Sequence, residues 1–408
     1  MRVLVISNLY PPHHLGGYEL SCQETVERFK ARGHQVCVLT STYGVGSVQT
    51  EGEVYRWLET SIAWEQLTGT KRVLRLLKKE AHNQRALRKA VRRFDPDLIY
   101  IWNLTGLSVS LALRAQRMKL STHYYVFDKW LSMWRSDPWY SLWPYESRRP
   151  LVRFGSWVLQ SSLKAFGIIS AGRLDLRRAQ FASRFLKRVT LEAGESVAGA
   201  PVIYWGIEIE KFPYKRGRDK PTRLLFVGQV GPHKGVHTAI EAVRILVEDY
   251  GCTSIKFTVV GGSILPDYVL ELRQLVRSHG LDDYVDFFGF ADRDQLPNIF
   301  QAHDILLFPS ICDEGLGITL LEAMSSGLAV LGTASGGSAE VLAHEINGLV
   351  FPKEDARACA DQVLRLLNDN RLYEEMRANG RRTVEERFRI ERTIEHLEQA
   401  LQAGLPPN

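Results

Sequence analysis

The sequence predicts an α/β protein made of two Rossmann-like domains, each a parallel sheet covered by helices, that face a cleft. Short apolar runs alternate with amphipathic helical segments along most of the chain, and this alternation begins twice, near residue 3 and near residue 223. The length of 408 residues suits two domains of ordinary size. Ligands of such sheets bind beyond the carboxyl ends of the strands, so the loops there are of most interest.

The first half opens with a predicted strand at residues 3–6, a loop rich in Pro and Gly, and a helix at residues 18–32. The apolar run QVCVLTS at residues 35–41 completes a β-loop-α-β unit, which is how an open parallel sheet begins. Two further apolar runs, at residues 97–103 and 123–128, predict buried strands of the same sheet.

The second half repeats this order, starting with the predicted strand RLLFVGQV at residues 223–230. The later predicted strands are KFTVVGG, YVDFFGF, DILLFPS, AVLGTAS and NGLVF. After about residue 355 the chain is expected to be helical. We therefore expect an N-terminal domain at residues 1–205, a C-terminal domain at residues 206–385 and a final helix at residues 386–408 that returns to the first domain.

The composition indicates a soluble globular protein, with 45% apolar and 24% charged residues. No apolar run approaches the ~20 residues that span a bilayer, and the N-terminus does not resemble a signal peptide. The five cysteines are scattered and form no CxxC pair, which favours buried thiols in a reducing compartment over a disulfide or zinc framework. A cytoplasmic protein is expected.

Charge is distributed unequally along the chain. Residues 1–205 carry 30 Lys and Arg against 16 Asp and Glu, a net charge of +14, whereas residues 206–408 carry 22 against 30, a net charge of −8. The basic half could attract a nucleic acid, an anionic membrane or a phosphorylated acceptor, or could simply be solvated. The basic segment at residues 71–94 has Leu and Val at helical spacing, so it either lies on an anionic membrane or buries its apolar face in its own domain.

Aromatic residues and arginines interleave between residues 129 and 160. The tryptophans of this segment are Trp130, Trp134, Trp139, Trp143 and Trp157. Such rings could stack on acceptor sugars or lie at a membrane interface. A packed helical insertion accounts for most of them without any ligand, and this interpretation is favoured.

The segment EGLGITLLEAMSSGLAV, residues 314–330, carries the strongest chemical signal. Gly315 and Gly317 remove side chains where a helix begins, so a ligand can approach the backbone, and free amides at a helix N-terminus favour an anion such as a diphosphate. Glu314 and Glu322 are separated by at most ~12 Å along a helix, more than the ~5–9.5 Å of a carboxylate pair that flanks one scissile bond. They are therefore expected to hold the two ends of one long ligand; the alternative is a helix cap and a surface acid.

Two other loops place glycines after a predicted strand. Lys234 ends the loop GPHKG, where a helix N-terminus and a point charge suit a phosphate, although exposed loop lysines are common. Gly16 and Gly17 precede the leading helix and could admit a phosphate or an acceptor, or meet only a steric need. No GxGxxG follows either leading strand, which argues against a dinucleotide cofactor.

No metal site is expected. The sequence Asp95-Pro96-Asp97 resembles a metal-binding DxD, but Pro96 ends the basic helix and Asp97 leads into a strand, so a structural role is favoured. No His or Cys cluster has the spacing of metal ligands.

Together these motifs resemble the retaining glycosyltransferases of the GT-B fold, in the large family (group 1, family four) that includes sucrose-phosphate synthases and bacterial mannosyl- and glucosyltransferases. The family pattern PSxxEGxGxxxxEAMxxGxPV reads here PSICDEGLGITLLEAMSSGLAV. GGxxE and NGxLV appear as GGSAE and NGLVF, VGRxxxxKG as VGQVGPHKG, and the hinge xNGxDxxxF as YWGIEIEKF. The resemblance is strong over about residues 200–390 and thinner before them.

The resemblance implies roles for the matched residues of the second half. Glu314 would contact the donor sugar near its anomeric carbon, Glu322 would bind the ribose hydroxyls, and Lys234 would neutralise the diphosphate. The amides of Gly317, Ile318 and Thr319 would join Lys234 at the diphosphate, and Gly315 would also belong to the donor site.

Other matched residues complete the implied donor site. Gly289 and Phe290 would border the nucleobase, and Gly16 and Gly17 would reach toward the phosphates or the acceptor. Gln229 stands at the position where the family usually has an arginine beside the lysine, so one positive charge is missing.

The first domain also departs from the family. The family usually has a His-Asp pair after this strand, whereas this chain has Phe127-Asp128. Asp128 and Lys234 are therefore the residues expected to contribute more to catalysis. Ala329 replaces the proline of the GxPV pattern, a change that we expect to have no consequence.

The implied function is transfer of a hexosyl unit, with retention, from an NDP-sugar to a hydroxyl acceptor in cell-envelope polysaccharide or glycolipid synthesis. The NDP-sugar is a substrate, and no cofactor or dedicated metal is expected. The acceptor could be a glycan, a small molecule, or phosphorylated or lipid-linked; peripheral contact with the inner face of an anionic membrane stays open, and a nucleic acid is not expected. The alternatives are an NDP-sugar epimerase or phosphorylase on the same fold and a non-catalytic NDP-sugar-binding subunit.

Overall fold

The computed structural model separates into two compact units. It describes residues 1–61, 69–118, 120–134, 157–158, 161–162, 173–215 and 221–405. The first unit comprises Met1–Ala182, Leu186–Ile203 and Ile394–Asn408, and the second comprises Ser183–Phe185 and Tyr204–Thr393. Each unit contains one predominantly parallel sheet with helices, so the predicted α/β class is confirmed.

The sheet of the first unit has seven strands in the order β3-β4-β2-β1-β5-β6-β7. The strands are β1 (Arg2–Ser7), β2 (Gln35–Ser41), β3 (Gln49–Glu51), β4 (Val54–Leu58), β5 (Leu98–Asn103), β6 (Ser121–Val126) and β7 (Ala179–Phe181). Neighbours pair in parallel except β3 and β4, which form an antiparallel hairpin that the sequence did not predict. Strand β5 is buried along its whole length, as its apolar run predicts.

Four helices follow the early strands of the first unit. They are α1 (Gly17–Ala31), α2 (Gly69–Phe94), α3 (Ser110–Arg117) and α4 (Trp130–Met133). Helix α5 (Arg184–Glu192) comes after β7. Helix α2 is the predicted basic helix; it buries Leu87 and Ala90 and leaves most of its cations exposed, so it packs its apolar face in its own unit.

The sheet of the second unit has six strands, all parallel, in the order β10-β9-β8-β11-β12-β13. The strands are β8 (Arg223–Val227), β9 (Lys256–Val260), β10 (Val285–Gly289), β11 (Ile305–Phe308), β12 (Ala329–Gly332) and β13 (Leu349–Val350). The helices are α6 (Val236–Glu248), α7 (Pro266–Ser278), α8 (Leu296–Ala302), α9 (Ile318–Ser326), α10 (Ala356–Asn368) and α11 (Asn370–Arg387). The last helix, α12 (Ile390–Gln402), contributes its residues from Ile394 onward to the first unit.

The tryptophan-rich segment is described only in part. Trp130 and Trp134 are buried, and the indole N–H of Trp134 donates to Glu195 at 3.0 Å, so these two rings belong to the packing of the first unit. The Trp157 side chain is 62% exposed. Trp139 and Trp143 lie outside the described residues.

Two further sequence interpretations concern the membrane and the DxD-like triplet. Within the described ranges, none of the helices has the length and apolar character to cross a bilayer. The Asp97 carboxylate accepts the backbone N–H of Arg2 at 2.6 Å, which joins the start of β5 to that of β1, as a structural role requires.

Candidate functional site

Lys234 and Glu314 form an ion pair beyond the carboxyl ends of β8 and β11. The Lys234 Nζ atom lies 2.7 Å from Glu314 Oε1, although the two residues are 80 positions apart. The pair is largely shielded, with 23% of the lysine side chain and 13% of the glutamate side chain exposed. The structure therefore brings together two of the residues that the resemblance placed at the anomeric carbon and the diphosphate.

The surroundings of Glu314 keep its carboxyl group ionised. Burial acts to raise the pKa, but the charge and hydrogen bond of Lys234 and hydrogen bonds from Ser310 and Cys312 outweigh it, so the pKa lies below its ordinary value. Glu314 thus presents a negative charge at neutral pH. Ser310 and Cys312 were not among the predicted site residues, because the sequence does not show which side chains turn toward the glutamate.

Backbone contacts hold the Lys234 loop in place. Gly235 has φ 68°, and a Cβ atom at this position would lie 2.0 Å from the carbonyl oxygen of Pro309. The carbonyl oxygen of His233 accepts the backbone N–H groups of Ile311 and Cys312 at 2.9 and 3.1 Å. The loop after β8 is therefore fixed against the loop after β11, and this contact sets the separation of Lys234 and Glu314.

Helix α9 begins beside this pair, as the glycine pattern predicts. Gly317 precedes the helix with φ 91°, and the amides of Ile318 and Thr319 lie in the first turn, where a helix offers them no internal acceptor. Both residues are half-buried. The helix end can therefore receive an anion next to the Lys234 ammonium group.

A glycine pair supports the Glu314 loop from β12. A Cβ atom at Gly337 would lie 1.9 Å from the carbonyl oxygen of Gly315, so the two backbones meet without side chains between them. The Gly337 N–H donates to the carbonyl oxygen of Glu314 at 2.7 Å. The GGSAE motif thus fixes the backbone of the EGLG motif.

Glycines also shape the ends of β8, β9 and β10. Gly261 has φ 148°, and a Cβ atom there would lie 1.7 Å from the carbonyl oxygen of Gly228. The Gly261 N–H donates to the carbonyl oxygen of Gly289 at 2.7 Å. Gln229 is half-buried at this edge, and the Phe290 ring is 66% exposed. This edge is the open surface where the resemblance expects a nucleobase.

Glu322 lies inside helix α9 and is almost fully buried. Only 3% of its side chain is exposed, and Arg293 Nη2 lies 3.1 Å from Glu322 Oε1. Arg293 was not predicted as a site residue, because none of the family motifs contains it and 29 positions separate it from its partner.

In the first unit, the start of α1 and the end of β6 converge on Asp128. Asp128 Oδ1 accepts the backbone N–H of Trp130 at 2.8 Å, and Oδ2 accepts the Asn103 side-chain amide at 3.1 Å. Burial, followed by the charge of Glu19, raises the pKa of Asp128 to about 6. Glu19 in turn accepts the backbone N–H of Gly16 at 3.1 Å.

The backbone at the start of α1 leaves room for a ligand. A Cβ atom at Gly16 would meet only the Glu19 carboxylate, at 3.9 Å, and Gly16 and Gly17 are exposed. Tyr18 follows them; its hydroxyl donates to the carbonyl oxygen of Tyr125 at 2.8 Å and its ring centroid lies 5.4 Å from that of Phe127. Tyr18 thus anchors the glycine loop to β6, a role that the sequence did not indicate.

Family models describe both halves of the chain. Residues 208–383 match the model for glycosyl transferases group 1, and residues 16–184 match the model for a glycosyl transferase 4-like domain. The chain belongs to the group 1 glycosyltransferase family. The family recognised from the motifs is therefore confirmed, including in the first half, where the motifs are thinner.

Curated relatives match over part of their length. The amylovoran biosynthesis glycosyltransferase AmsK of Erwinia amylovora is 35% identical over 169 residues, which is 40% of this chain and 40% of AmsK. The aligned part thus spans less than half of that relative.

Solved structures match over nearly the whole chain. Sucrose-phosphate synthase of Thermosynechococcus elongatus has a TM-score of 0.72 at 18% identity, with 98% of both chains covered. HepE of Anabaena, solved in complex with UDP-glucose, has a TM-score of 0.67 at 20% identity, with 98% of this chain and 99% of HepE covered. These similarities establish the GT-B fold.

Proposed function

We propose that the chain transfers a hexosyl unit, with retention, from an NDP-sugar to a hydroxyl acceptor. The observation that carries the proposal is the shielded Lys234–Glu314 pair beside the first turn of α9. One side of this arrangement offers an ammonium group and backbone amides to a diphosphate, and the other offers a carboxylate to a sugar.

The proposed reaction needs only groups that this chain supplies. The acceptor oxygen forms a bond to the anomeric carbon while the bond from that carbon to the diphosphate oxygen breaks, and the leaving NDP takes the electron pair. Lys234 and the amides of Ile318 and Thr319 stabilise the added charge on the diphosphate. The acceptor proton passes to the departing phosphate oxygen on the same face, which retains the configuration. No metal or cofactor takes part in this scheme.

The relatives support the donor and the biological setting. HepE, which shares the fold, was solved with UDP-glucose. AmsK is named for the biosynthesis of amylovoran. We therefore propose an NDP-hexose donor and an acceptor hydroxyl of a cell-envelope glycan or glycolipid.

Two other functions use the same donor site and differ in their products. An NDP-sugar epimerase or phosphorylase would convert the donor without a hydroxyl acceptor. A non-catalytic subunit would bind the donor and leave it intact, and the glutamine at position 229 and the phenylalanine at position 127 are the observations that favour it. The ionised Glu314 carboxylate, held next to Lys234, favours transfer.

A thermal-shift screen against UDP-, GDP- and ADP-sugars tests donor binding. A ligand that binds only the folded chain stabilises it by about 2.7 kcal/mol at a hundredfold excess over its Kd, so one nucleotide class should raise Tm by several degrees. The free sugars and the nucleosides serve as controls, because they lack the diphosphate. An unchanged Tm with every nucleotide sugar would contradict the proposal.

Asp128 is proposed to act on the acceptor in its ionised form. Because its pKa is raised to about 6, turnover should rise as pH increases from about 5 to about 7, and Asp128→Asn should lack this limb. The raised pKa of Asp128 also affects stability. The free energy of unfolding should fall as pH rises from about 4 to about 6, because the folded chain binds the Asp128 proton more tightly than the unfolded chain. The role in turnover is measured from the rates of the unaltered chain and of Asp128→Asn at saturating donor across this pH range. Superimposable pH profiles of the two proteins would exclude an action of Asp128 on the acceptor.

A peripheral membrane contact is proposed for a group of cations on α2, here called the basic cluster: Arg85, Arg88, Lys89, Arg92 and Arg93. They line a recess of about 490 Å³. Within the described part of the chain, no carboxylate pairs with any of them, and two are held by aromatic rings: Lys89 Nζ lies 4.5 Å from the Trp57 ring centroid and Arg93 lies 5.3 Å from that of Tyr55. Unpaired cations in a recess suit the phosphates of an anionic lipid surface.

Replacing Arg85, Arg88 and Arg92 by serine should weaken binding to phosphatidylglycerol vesicles. Each cation near an anionic surface contributes about 1 kcal/mol, so the triple variant should bind about a hundredfold more weakly. Lys89 and Arg93 stay in place to preserve the ring contacts. The matched control replaces the exposed Arg365, Arg371 and Arg382 of the second unit, an equal charge change. Equal vesicle co-sedimentation of the two variants would contradict the contact.

A further inference from the structure

Arg293 forms an ion pair with Glu322, with Arg293 Nη2 lying 3.1 Å from Glu322 Oε1. The Glu322 side chain is 3% exposed and the Arg293 side chain is 40% exposed, so the arginine is the more accessible member of the pair. A carboxylate taken out of water is stable only when an opposite charge or hydrogen bonds compensate it. Arg293 supplies such a charge at the residue that the family resemblance assigns to the ribose.

Arg293 adds a cation that the family motifs do not contain. Lys234 pairs with Glu314, and the position where the family usually has an arginine holds Gln229 here. Arg293 instead pairs with Glu322, the second glutamate of the motif.

The position of Arg293 along the chain connects two parts of the site. Arg293 begins a short turn, Arg293–Gln295, that is capped by Asp292: the Asp292 N–H donates to Gln295 Oε1 at 2.8 Å. Phe290, which is 66% exposed, lies three residues earlier on the same loop. The ion pair therefore joins the loop at the predicted nucleobase edge to the helix that carries Glu322.

We propose that Arg293 is a positioning residue for the ribose of a nucleoside diphosphate. It holds the Glu322 carboxylate where that group accepts hydrogen bonds from the ribose hydroxyls, and it keeps the Phe290 loop next to the same sugar. This inference rests on the proposed function, because it assumes that a nucleoside diphosphate occupies the site. Its particular consequence is selectivity for a ribonucleotide over the 2′-deoxyribonucleotide.

Isothermal titration with UDP, GDP and ADP and their 2′-deoxy forms tests this role. Arg293→Ala should weaken binding of the preferred ribonucleotide about tenfold and change binding of its 2′-deoxy form less than about twofold. Arg293→Lys keeps the charge and should restore part of the selectivity. In a double-mutant cycle, Arg293→Ala should have little further effect once Glu322→Gln is present, because both changes remove one interaction.

Arg273→Ala provides the matched control. Arg273 is an exposed arginine of the same unit whose guanidinium lies 4.6 Å from the Phe287 ring centroid, outside the proposed site. Its replacement should leave both affinities unchanged. Comparable Tm values show that the variants are folded. If Arg293→Ala does not fold, Arg293→Lys is used for the test in its place.

The outcomes separate this inference from the proposed function. If the unaltered chain binds a nucleoside diphosphate and Arg293→Ala weakens both sugar forms equally, or neither, the positioning role is wrong and the proposed function stands. If the unaltered chain binds no nucleoside diphosphate, the proposed function fails and this inference fails with it.

Discussion

Replacing Glu314 by glutamine is expected to slow hexosyl transfer by about 10²–10³-fold, because the proposed reaction would lose a preformed charge next to the carbon that becomes positive. The lowered pKa of Glu314 shows that the carboxylate is the stable form in this setting. Glutamine has the same shape and can still accept a hydrogen bond from Ser310, so the loop should persist. The measurement is kcat with the donor identified by thermal shift, compared with Tm of the same variant.

Asp313→Asn is the control for this substitution. Asp313 is the neighbouring residue, is exposed, and pairs with Lys353 at 2.8 Å rather than with Lys234. Its replacement should alter kcat less than about threefold, since an exposed ion pair contributes little. If Glu314→Gln retained the turnover of Asp313→Asn, Glu314 would have no part in the chemistry.

Lys234→Met is expected to have the second largest effect, on both donor binding and turnover. The variant keeps most of the side-chain length and removes the ammonium group that is proposed to bind the diphosphate, so NDP affinity should fall about tenfold or more and kcat about a hundredfold. Lys234 is also the largest of the contributions that lower the pKa of Glu314. Without it the pKa of Glu314 should rise, so the residual activity should reach its plateau at a higher pH than that of the unaltered chain.

Lys234→Arg tests whether the charge alone is sufficient. Arginine restores the charge but not the compact ammonium group at 2.7 Å from Glu314, so binding should recover more than turnover. Titration of NDP gives the affinity, and steady-state rates across pH give the turnover. Lys234→Met with unchanged NDP affinity would show that the diphosphate lies elsewhere.

Much of the fold was predictable because its signals are local. The apolar run at residues 97–103 predicts β5, because a strand buried on both faces shows such a short continuous run. The glycines around Glu314 predict the start of α9 in the same way, since Gly317 adopts φ 91° at the cap. The β3–β4 hairpin was missed because its strands are short and only partly apolar.

The contacts within the site depend on packing and were harder to predict from the sequence. Lys234 and Glu314 were both placed beyond strand ends, but their ion pair requires Gly235 to lie against Pro309, which no local pattern encodes. Arg293 was missed for the same reason, because its pairing with Glu322 depends on how the loop after β10 meets α9. The roles of Glu314 in sugar binding and of Glu322 in ribose binding stay predictions from the family resemblance.

Proton NMR of the reaction mixture tests the central claim most directly. The chain is incubated with the stabilising NDP-sugar and a panel of glycan and glycolipid acceptors, and the anomeric signals are followed with time. The account predicts that the donor signal is replaced by NDP and by a glycoside with the anomeric configuration of the donor, and that Glu314→Gln slows this change by about 10²–10³-fold. An inverted glycoside, an epimerised NDP-sugar, or an unconsumed donor would contradict it.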